Sequence, residues 1–398
     1  MGTGKSKKWA EQGTQSRHRG AIFPAMARAS SPLLLPLAAF AAAGFLGGSL
    51  RAQEPGWLDR VHFFADGRLR AEFNDNLAPS PDRHRGRMRF RFGATFDVED
   101  DLVFGFRMRT GDPNNPTNPY ADFGGGSGFT NLALNLDRLY ADWRPSWLDD
   151  GNFRVLAGKF DSPHVRNPIY GELLLDADFQ PEGVQFAWKR ALGESTTFGV
   201  THGQWIQIEN GSSEDAWMSL TQAHVLVDAD SAGSWDFVLT YEFVGDPTPD
   251  GATAITARNR GNAVVGGEFA SDFGVLNPMV VWNHGAFTVV GEYFDNLRAA
   301  SGAEDNGFAF GGKLKTGYGQ FWYQYQQIGQ DALFSPWVQD DFLLAVNAKT
   351  HALGWKKMLG ERTQLHVWLM ASEADDPALG GPADMVYRFR TDFSFDLL

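Results

Sequence analysis

The stretch RHRGRMRFRFGATFDVED, residues 83–100, places arginine at every second position from Arg83 to Arg91. From Met88 onward the intervening positions are apolar: Met88, Phe90, Phe92, Ala94, Phe96 and Val98. Successive side chains on a strand point to opposite faces, so a strand here carries apolar groups on one face and guanidinium groups on the other. Three readings compete: a nucleic-acid patch, a half-buried strand of a soluble sheet, and a strand that separates lipid from water.

The rest of the chain narrows the choice. A length of 398 residues suits two domains or one large all-β or barrel unit. Apolar content of 43% and charged content of 21% are those of a folded protein. The chain has 32 Phe, 13 Trp and 45 Gly but no Cys, which removes disulfides, thiolate catalysis and Cys-ligated zinc. Residues 26–52, MARASSPLLLPLAAFAAAGFLGGSLRA, read as a secretory signal peptide. Arg28 supplies the basic start, 33–45 the apolar core and Ala52 the cleavage point. Residues 1–25 are then a non-native or disordered leader, with Met26 as the natural initiator. Residues 1–52 hold seven Lys/Arg and one Asp/Glu, so 28 basic and 47 acidic residues remain beyond them, a net charge of about −19. So acidic a protein is no general nucleic-acid binder, and the arginine run is a local exception.

Period-two alternation recurs beyond residue 53. In LVFGFRMRT, residues 102–110, Leu102, Phe104, Phe106 and Met108 alternate with Val103, Gly105, Arg107 and Arg109. In SWDFVLTYEF, residues 234–243, Trp235, Phe237, Leu239, Tyr241 and Phe243 form one face. Near the C-terminus Tyr387, Phe389, Phe393, Phe395 and Leu397 are set against Arg388, Arg390, Asp392, Ser394 and Asp396. Such segments have about the 9–11 residues that a tilted strand needs to cross a bilayer. The pattern predicts about sixteen strands, near 63–73, 86–98, 102–110, 135–144, 153–158, 183–190, 196–206, 216–228, 234–244, 263–282 (interrupted at Asn277-Pro278), 286–296, 307–314, 320–329, 348–358, 363–371 and 384–397. Connections 74–85, 111–134, 159–182, 207–215, 245–262, 297–306, 330–347 and 372–383 are long and read as polar, and those between them are mostly short. This alternation suits an all-β fold, a transmembrane antiparallel β-barrel over 53–398 with short periplasmic turns and long extracellular loops. A soluble sandwich has no reason to segregate its loops. Mean hydropathy stays at −0.30 because half of each strand is polar. Trp143, Trp147, Trp188, Trp205, Trp235, Trp322, Trp355 and Trp368 fall on or near strand ends, where interfacial girdles use them; ordinary core filling explains them almost as well.

Several motifs, in order, resemble the putative-porin family of Gram-negative outer membranes. They are DRLYADWRPSW (137–147), LAGKFDSP (156–163), LLLDADFQPEGVQFAW (173–188), FTVVGEYFDN (287–296) and the run GFAFGGKLKTGYGQFWYQYQQIGQDALFSPWVQDDFLLAVNAKTHALGWKKML (307–359). The resemblance implies a passive diffusion channel for small hydrophilic or charged solutes and ions, in contact with outer-membrane lipid. It also implies a homotrimer, no cofactor and no enzymatic activity. The alternatives are another outer-membrane barrel, such as a polysaccharide exporter, and a secreted soluble β-sandwich that binds carbohydrate.

A pore is defined by the charge and width of its lumen. Alternation puts Arg68, Arg70, Arg87, Arg89, Arg91, Arg107, Arg109, Arg138 and Arg144 on polar, pore-lining faces. A three-residue turn at 99–101 sets Arg91 opposite Arg109 and Gly93 opposite Arg107. Like charges across a ladder repel, so an anion is expected there, with Gly93 leaving it room. The candidate is the third long loop, 159–182, with Glu172, Asp176, Asp178 and Glu182. In sixteen-stranded porins, which the layout resembles, this loop folds inward and faces a row of arginines; the resemblance implies an acidic constriction loop here. Other motifs carry less. His62, His84, His164, His202, His224, His284, His351 and His366 show no metal-ligand spacing. FGGGSG, residues 123–128, lacks the Lys-Ser/Thr of a phosphate-cradling loop. GDPNNPTNPYAD (111–122) and GDPTPDG (245–251) are explained by turn chemistry.

Overall fold

The computed structural model describes residues 56–398 except 77–80, 126–127, 130, 212–213, 248–254 and 383. The leader 1–25 and signal peptide 26–52 lie outside the described residues. Sixteen antiparallel strands form one ring, each paired with its neighbours in sequence. They are β1 Val61–Asp75, β2 Arg83–Glu99, β3 Leu102–Arg109, β4 Asn135–Trp143, β5 Phe153–Lys159, β6 Glu182–Ala191, β7 Thr196–Ile208 and β8 Ala216–Asp228. The second half comprises β9 Ser234–Gly245, β10 Phe273–His284, β11 Phe287–Asn296, β12 Asn306–Thr316, β13 Gly319–Ile328, β14 Ala348–Met358, β15 Thr363–Ala374 and β16 Val386–Asp396. The ring is closed by β1 against β16, in register from Asp66↔Asp396 to Asp75↔Tyr387. Closure leaves no strand edge unpaired, a requirement wherever water is absent to satisfy backbone groups. A single closed sheet also excludes the soluble-sandwich alternative, which needs two sheets face to face.

The expected alternation of long and short connections is present, and most strand bounds agree within two or three residues. The exception is 263–272. It forms a separate hairpin, Val264–Val265 with Glu268–Phe269, outside the ring. A two-residue strand, Ala121–Asp122, pairs beside β2 at Arg87 and Met88. Asn277-Pro278 does not interrupt β10. Proline has no N–H to give the ladder, and the Asn277 side-chain amide instead donates to the Tyr293 carbonyl at 3.0 Å.

The polarity of the ring is inverted relative to a soluble domain. Phe63, Leu69, Phe73, Phe90, Phe104, Phe237, Leu239, Phe310 and Leu353 are exposed on the outside. Arg70, Glu72, Arg87, Arg89, Gln222, Glu292, Gln324, Arg390 and Asp392 are buried within. An outward apolar face over a charged interior is what a bilayer demands. Trp143, Trp147, Trp188, Trp235, Trp282 and Trp355 gather at the short-turn ends of their strands, with Trp147 74% exposed. Trp205, Trp322 and Trp368 depart from the girdle expectation. They are at most 5% exposed, because their strand parity turns them into the barrel.

Candidate functional site

The lumen is built from three parts: an arginine wall, a mostly neutral wall, and two loops between them. On the arginine wall, Arg91 pairs in register with Arg109 and Gly93 with Arg107, as expected, although the turn is two residues, 100–101, rather than 99–101, and a bulge between Asp97 and Glu99 takes up the difference. Arg68 also sits opposite Arg89, and Arg70 opposite Arg87. The expected room at Gly93 is not an anion site. A Cβ there would meet the Phe106 carbonyl oxygen at 2.2 Å and the Phe64 ring at 2.6 Å, so Phe64 occupies that space.

The counter-charges come chiefly from the wall itself. Arg70 donates to both Asp392 oxygens, at 2.6 and 2.9 Å, across the closing seam. Arg390 reaches Glu72 at 2.6 Å, and Arg388 reaches Asn74 at 2.6 Å, across the same seam. Glu72, fully buried, also receives Arg85 at 2.6 Å. Asp66 accepts from Arg89 and Arg91, and Asp137 from Arg107. Tyr120, from the loop after β3, enters the cluster as well. Its ring lies 4.2 Å from the Arg70 guanidinium and 4.7 Å from that of Arg87, while its hydroxyl accepts from Arg68 at 2.7 Å. The negative face of an aromatic ring softens the repulsion between such cations. Arg138 pairs with Asp161, and Arg144 lies past the end of β4 against Asp142 at the short-turn rim.

Loop 160–181 folds inside the barrel, and it is fixed to the wall opposite the arginines. Val165 exchanges hydrogen bonds with the Gln222 side chain at 2.6 and 2.9 Å. Asn167 donates to Glu292 at 2.6 Å and to Gln324 at 3.0 Å, and Lys313 donates to the Pro168 carbonyl. Of the four predicted acidic residues, Asp178 alone meets the arginine wall, 3.5 Å from Arg91. Glu182 begins β6 and pairs with Lys159 at 2.5 Å. Glu172 and Asp176 face a second infolded loop, 329–347, whose backbone they share: Asp176 N donates to Trp337 O and Gln339 N to Glu172 O.

This second loop corrects the expectation that 330–347 is a polar connection. Leu333, Phe334, Trp337, Val338 and Phe342 are buried, and they join Leu173, Leu175 and Phe179 in an apolar core inside the barrel. Phe179 stacks on Trp337 at 5.1 Å, and Tyr170 meets Phe342 at 4.7 Å. Arg390 binds the Asp341 carboxylate, and Arg388 its carbonyl. Arg388, Arg390, Asp392, Tyr120 and Asp341 were missing from the sequence-derived site. The C-terminal alternation had already placed the first three on the polar face, and closure of the ring brings that face to β1. The apolar run in DALFSPWVQDDFLLAV, residues 331–346, was the available signal for the second loop.

Burial and the neighbouring carboxylates of Asp341 and Asp178 raise the Glu172 pKa to about 8, and Asp176 is pushed well above the usual carboxylate range. Burial beside Asp341 also raises Asp340, whereas the Arg390 guanidinium holds Asp341 low. Arg109 is 4% exposed, and among the described residues its Nε and Nη1 have no hydrogen-bond partner. It lines a cavity of ≈ 90 Å³ with Asp137, Asp178 and Gln180.

This closed ring with an infolded third loop defines a porin-type β-barrel. Residues 75–230 match the model of a family described as "Putative porin", in agreement with the resemblance read from the sequence. Among solved structures, Pseudomonas putida OprB aligns with a TM-score of 0.53 at 10% identity, covering 85% of this chain and 95% of that one. Salmonella typhi OmpF, in complex with daunomycin, aligns at 0.52 and 11%, covering 84% and 97%. At such identities the likeness is one of fold. No curated protein matches the chain in sequence.

Two outcomes follow from this geometry. Glu72→Gln, which strips a fully buried carboxylate from three arginines, is expected to destabilise the barrel by about 3–5 kcal/mol. Glu182→Gln, in an exposed pair, is expected to cost under about 1 kcal/mol. Urea unfolding of detergent-refolded protein measures both. The second outcome concerns pH. Folding raises the Glu172 pKa, so the native state binds more protons than the unfolded chain between about pH 4.5 and 8. This contribution is fully present below that window and lost as pH rises through it. Asp176 and Asp340 act in the same sense. His164, whose pKa burial lowers, acts in the opposite one. Glu172→Gln should therefore lose less stability than the wild type between pH 5 and 9, measured as the difference between their unfolding midpoints.

Proposed function

We propose that the chain is an outer-membrane porin, a passive channel for small hydrophilic or charged solutes, with its barrel spanning 53–398 behind a cleaved signal peptide. The observation that carries this reading is the inverted polarity of a closed sixteen-strand ring: charged and amide side chains inside, large apolar side chains outside. The family match over 75–230 supports it. The apolar loop core occupies part of the lumen, so solute passes between that core and the arginine wall. Arg68, Arg70, Arg87, Arg89, Arg91, Arg107 and Arg109 line this path, and Asp178 narrows it from the loop side. Glu172 and Asp176 serve the loops' mutual packing rather than the field across the pore. Such a transverse field orients polar solutes and disfavours apolar ones. Trimeric assembly is part of the same proposal.

Planar-bilayer recording in a KCl gradient tests the reading. Replacing Arg89, Arg91 and Arg109 with glutamine or serine, in protein that still migrates as a folded barrel on unboiled gels, should shift the reversal potential toward cation selectivity. An unchanged potential would mean that these arginines do not set the field along the path.

A further inference from the structure

A second lumenal cavity, of ≈ 310 Å³, lies toward the short-turn side of the loops and is bounded by β1 and β13–β16 together with 167–172 of the third loop and Asp341 of the second infolded one. Its charge balance differs from that of the arginine wall. Three carboxylates border it: Asp392 is engaged by Arg70, and Asp341 by Arg70 and Arg390, whereas Glu172 has no cationic partner among the described residues and accepts from the Tyr170 hydroxyl at 3.4 Å. Lys356 also borders it, and among the described residues this ammonium has neither an ion pair nor a hydrogen bond. Arg68 lies alongside. It is held by Ser394 Oγ at 3.0 Å and the Tyr120 hydroxyl, with Asp392 no closer than 4.0 Å. Burial raises the Glu172 pKa to about 8, so that carboxyl is largely neutral at pH 7, and the cavity offers cationic groups whose two ionised carboxylates are bound elsewhere.

The other lining groups are polar or flat. Trp322 and Trp368 lie on either side of Gly354 in the ladder, with ring centroids 6.2 Å apart. A Cβ at Gly354 would come within 2.4 Å of Trp322 Nε1, so this glycine is the socket that lets the indole lie against the wall. Trp322 Nε1 donates to His366 Nε2 at 3.1 Å, which leaves Nδ1 as that ring's donor. His366 stacks on Trp368 at 4.9 Å. Among the described residues Trp368 Nε1 has no acceptor although Trp368 is 5% exposed. Gln364, Ser394 and Tyr170 add amide and hydroxyl groups.

We propose that this cavity is a solute-binding site for small hydroxylated carboxylates, of the sugar-acid class, with Lys356 and Arg68 receiving the carboxylate. The volume is at the small end of ligand pockets, which run from about 300 Å³ upward. It has room for a monosaccharide-sized molecule. A charge-assisted bond to the unpaired ammonium supplies the anion preference. The amide, hydroxyl and imidazole groups match a polyhydroxylated body, and the indole rims flank its apolar ring face. A simple inorganic anion would use the cations alone.

The inference rests on the porin reading only in placing the cavity along the solute path, and the test keeps the two separate. Isothermal titration of detergent-refolded protein is run with glucuronate, glucose and acetate, beside conductance in plain KCl. Saturable glucuronate binding is expected, with glucose and acetate at least tenfold weaker. Lys356→Met should weaken glucuronate at least tenfold, and Lys356→Arg should restore it to within about threefold. Equal binding of glucuronate and glucose, no saturation, or indifference to Lys356→Met would overturn the site. Loss of conductance with binding intact would overturn the porin reading and leave the site standing.

Discussion

Everything in this molecule depends on the seam where the first strand meets the last. A barrel exists only if β1 accepts β16, and the lumenal side of that contact is a ladder of directly opposed polar pairs: Arg68 with Ser394, Arg70 with Asp392, Glu72 with Arg390, and Asn74 with Arg388. Each pair is set by register, since a slip of one residue would turn every guanidinium toward lipid. Buried ion pairs contribute little net stability beside apolar packing, yet breaking one is costly. The ladder thus selects one register more than it deepens the native well. The same groups face the barrel interior, so closure and interior charge have a common origin.

From the seam the charge spreads around the ring. Arg68 and Arg70 face Arg89 and Arg87 across β1 and β2, and the repulsion is relieved by Asp66, Glu72 and the Tyr120 ring. Further round the ring, the wall becomes largely neutral, with Gln222, Thr240, Asn277 and Gln324 among its buried lumenal groups. The third loop binds there: the Gln222 amide satisfies the Val165 backbone N–H and carbonyl, and Glu292 and Gln324 accept from the Asn167 side-chain amide. The apolar side chains of both loops then need a partner that is not water, and they find it in each other. The result is a core inside the barrel, beside the arginine wall.

Strand positions, the closed ring and the inward arginines were legible because period-two alternation maps directly onto faces. Register between β2 and β3 was legible too, since a short turn leaves few choices. The partners were not. That Glu72 meets Arg390, more than 300 residues away, follows only from closure, which alternation does not encode locally. The inward fold of 329–347 was written in Leu333, Phe334, Trp337 and Phe342, but a long connection between strands reads first as a solvated loop. Trp322 and Trp368 were misplaced for a related reason. Their location near strand ends suggested a girdle, whereas their parity, shared with Gln324 and Met370, already turned them inward.

The chain contains no cysteine, so a single introduced thiol reports on one place. Asp178→Cys puts that thiol on the third loop where it approaches Arg91. Adding a negatively charged methanethiosulfonate reagent during planar-bilayer recording should lower the current in discrete steps, because the adduct lies in the narrowed path. Complete modification, verified by mass, with no change in current would contradict a pore that runs between this loop and the arginine wall.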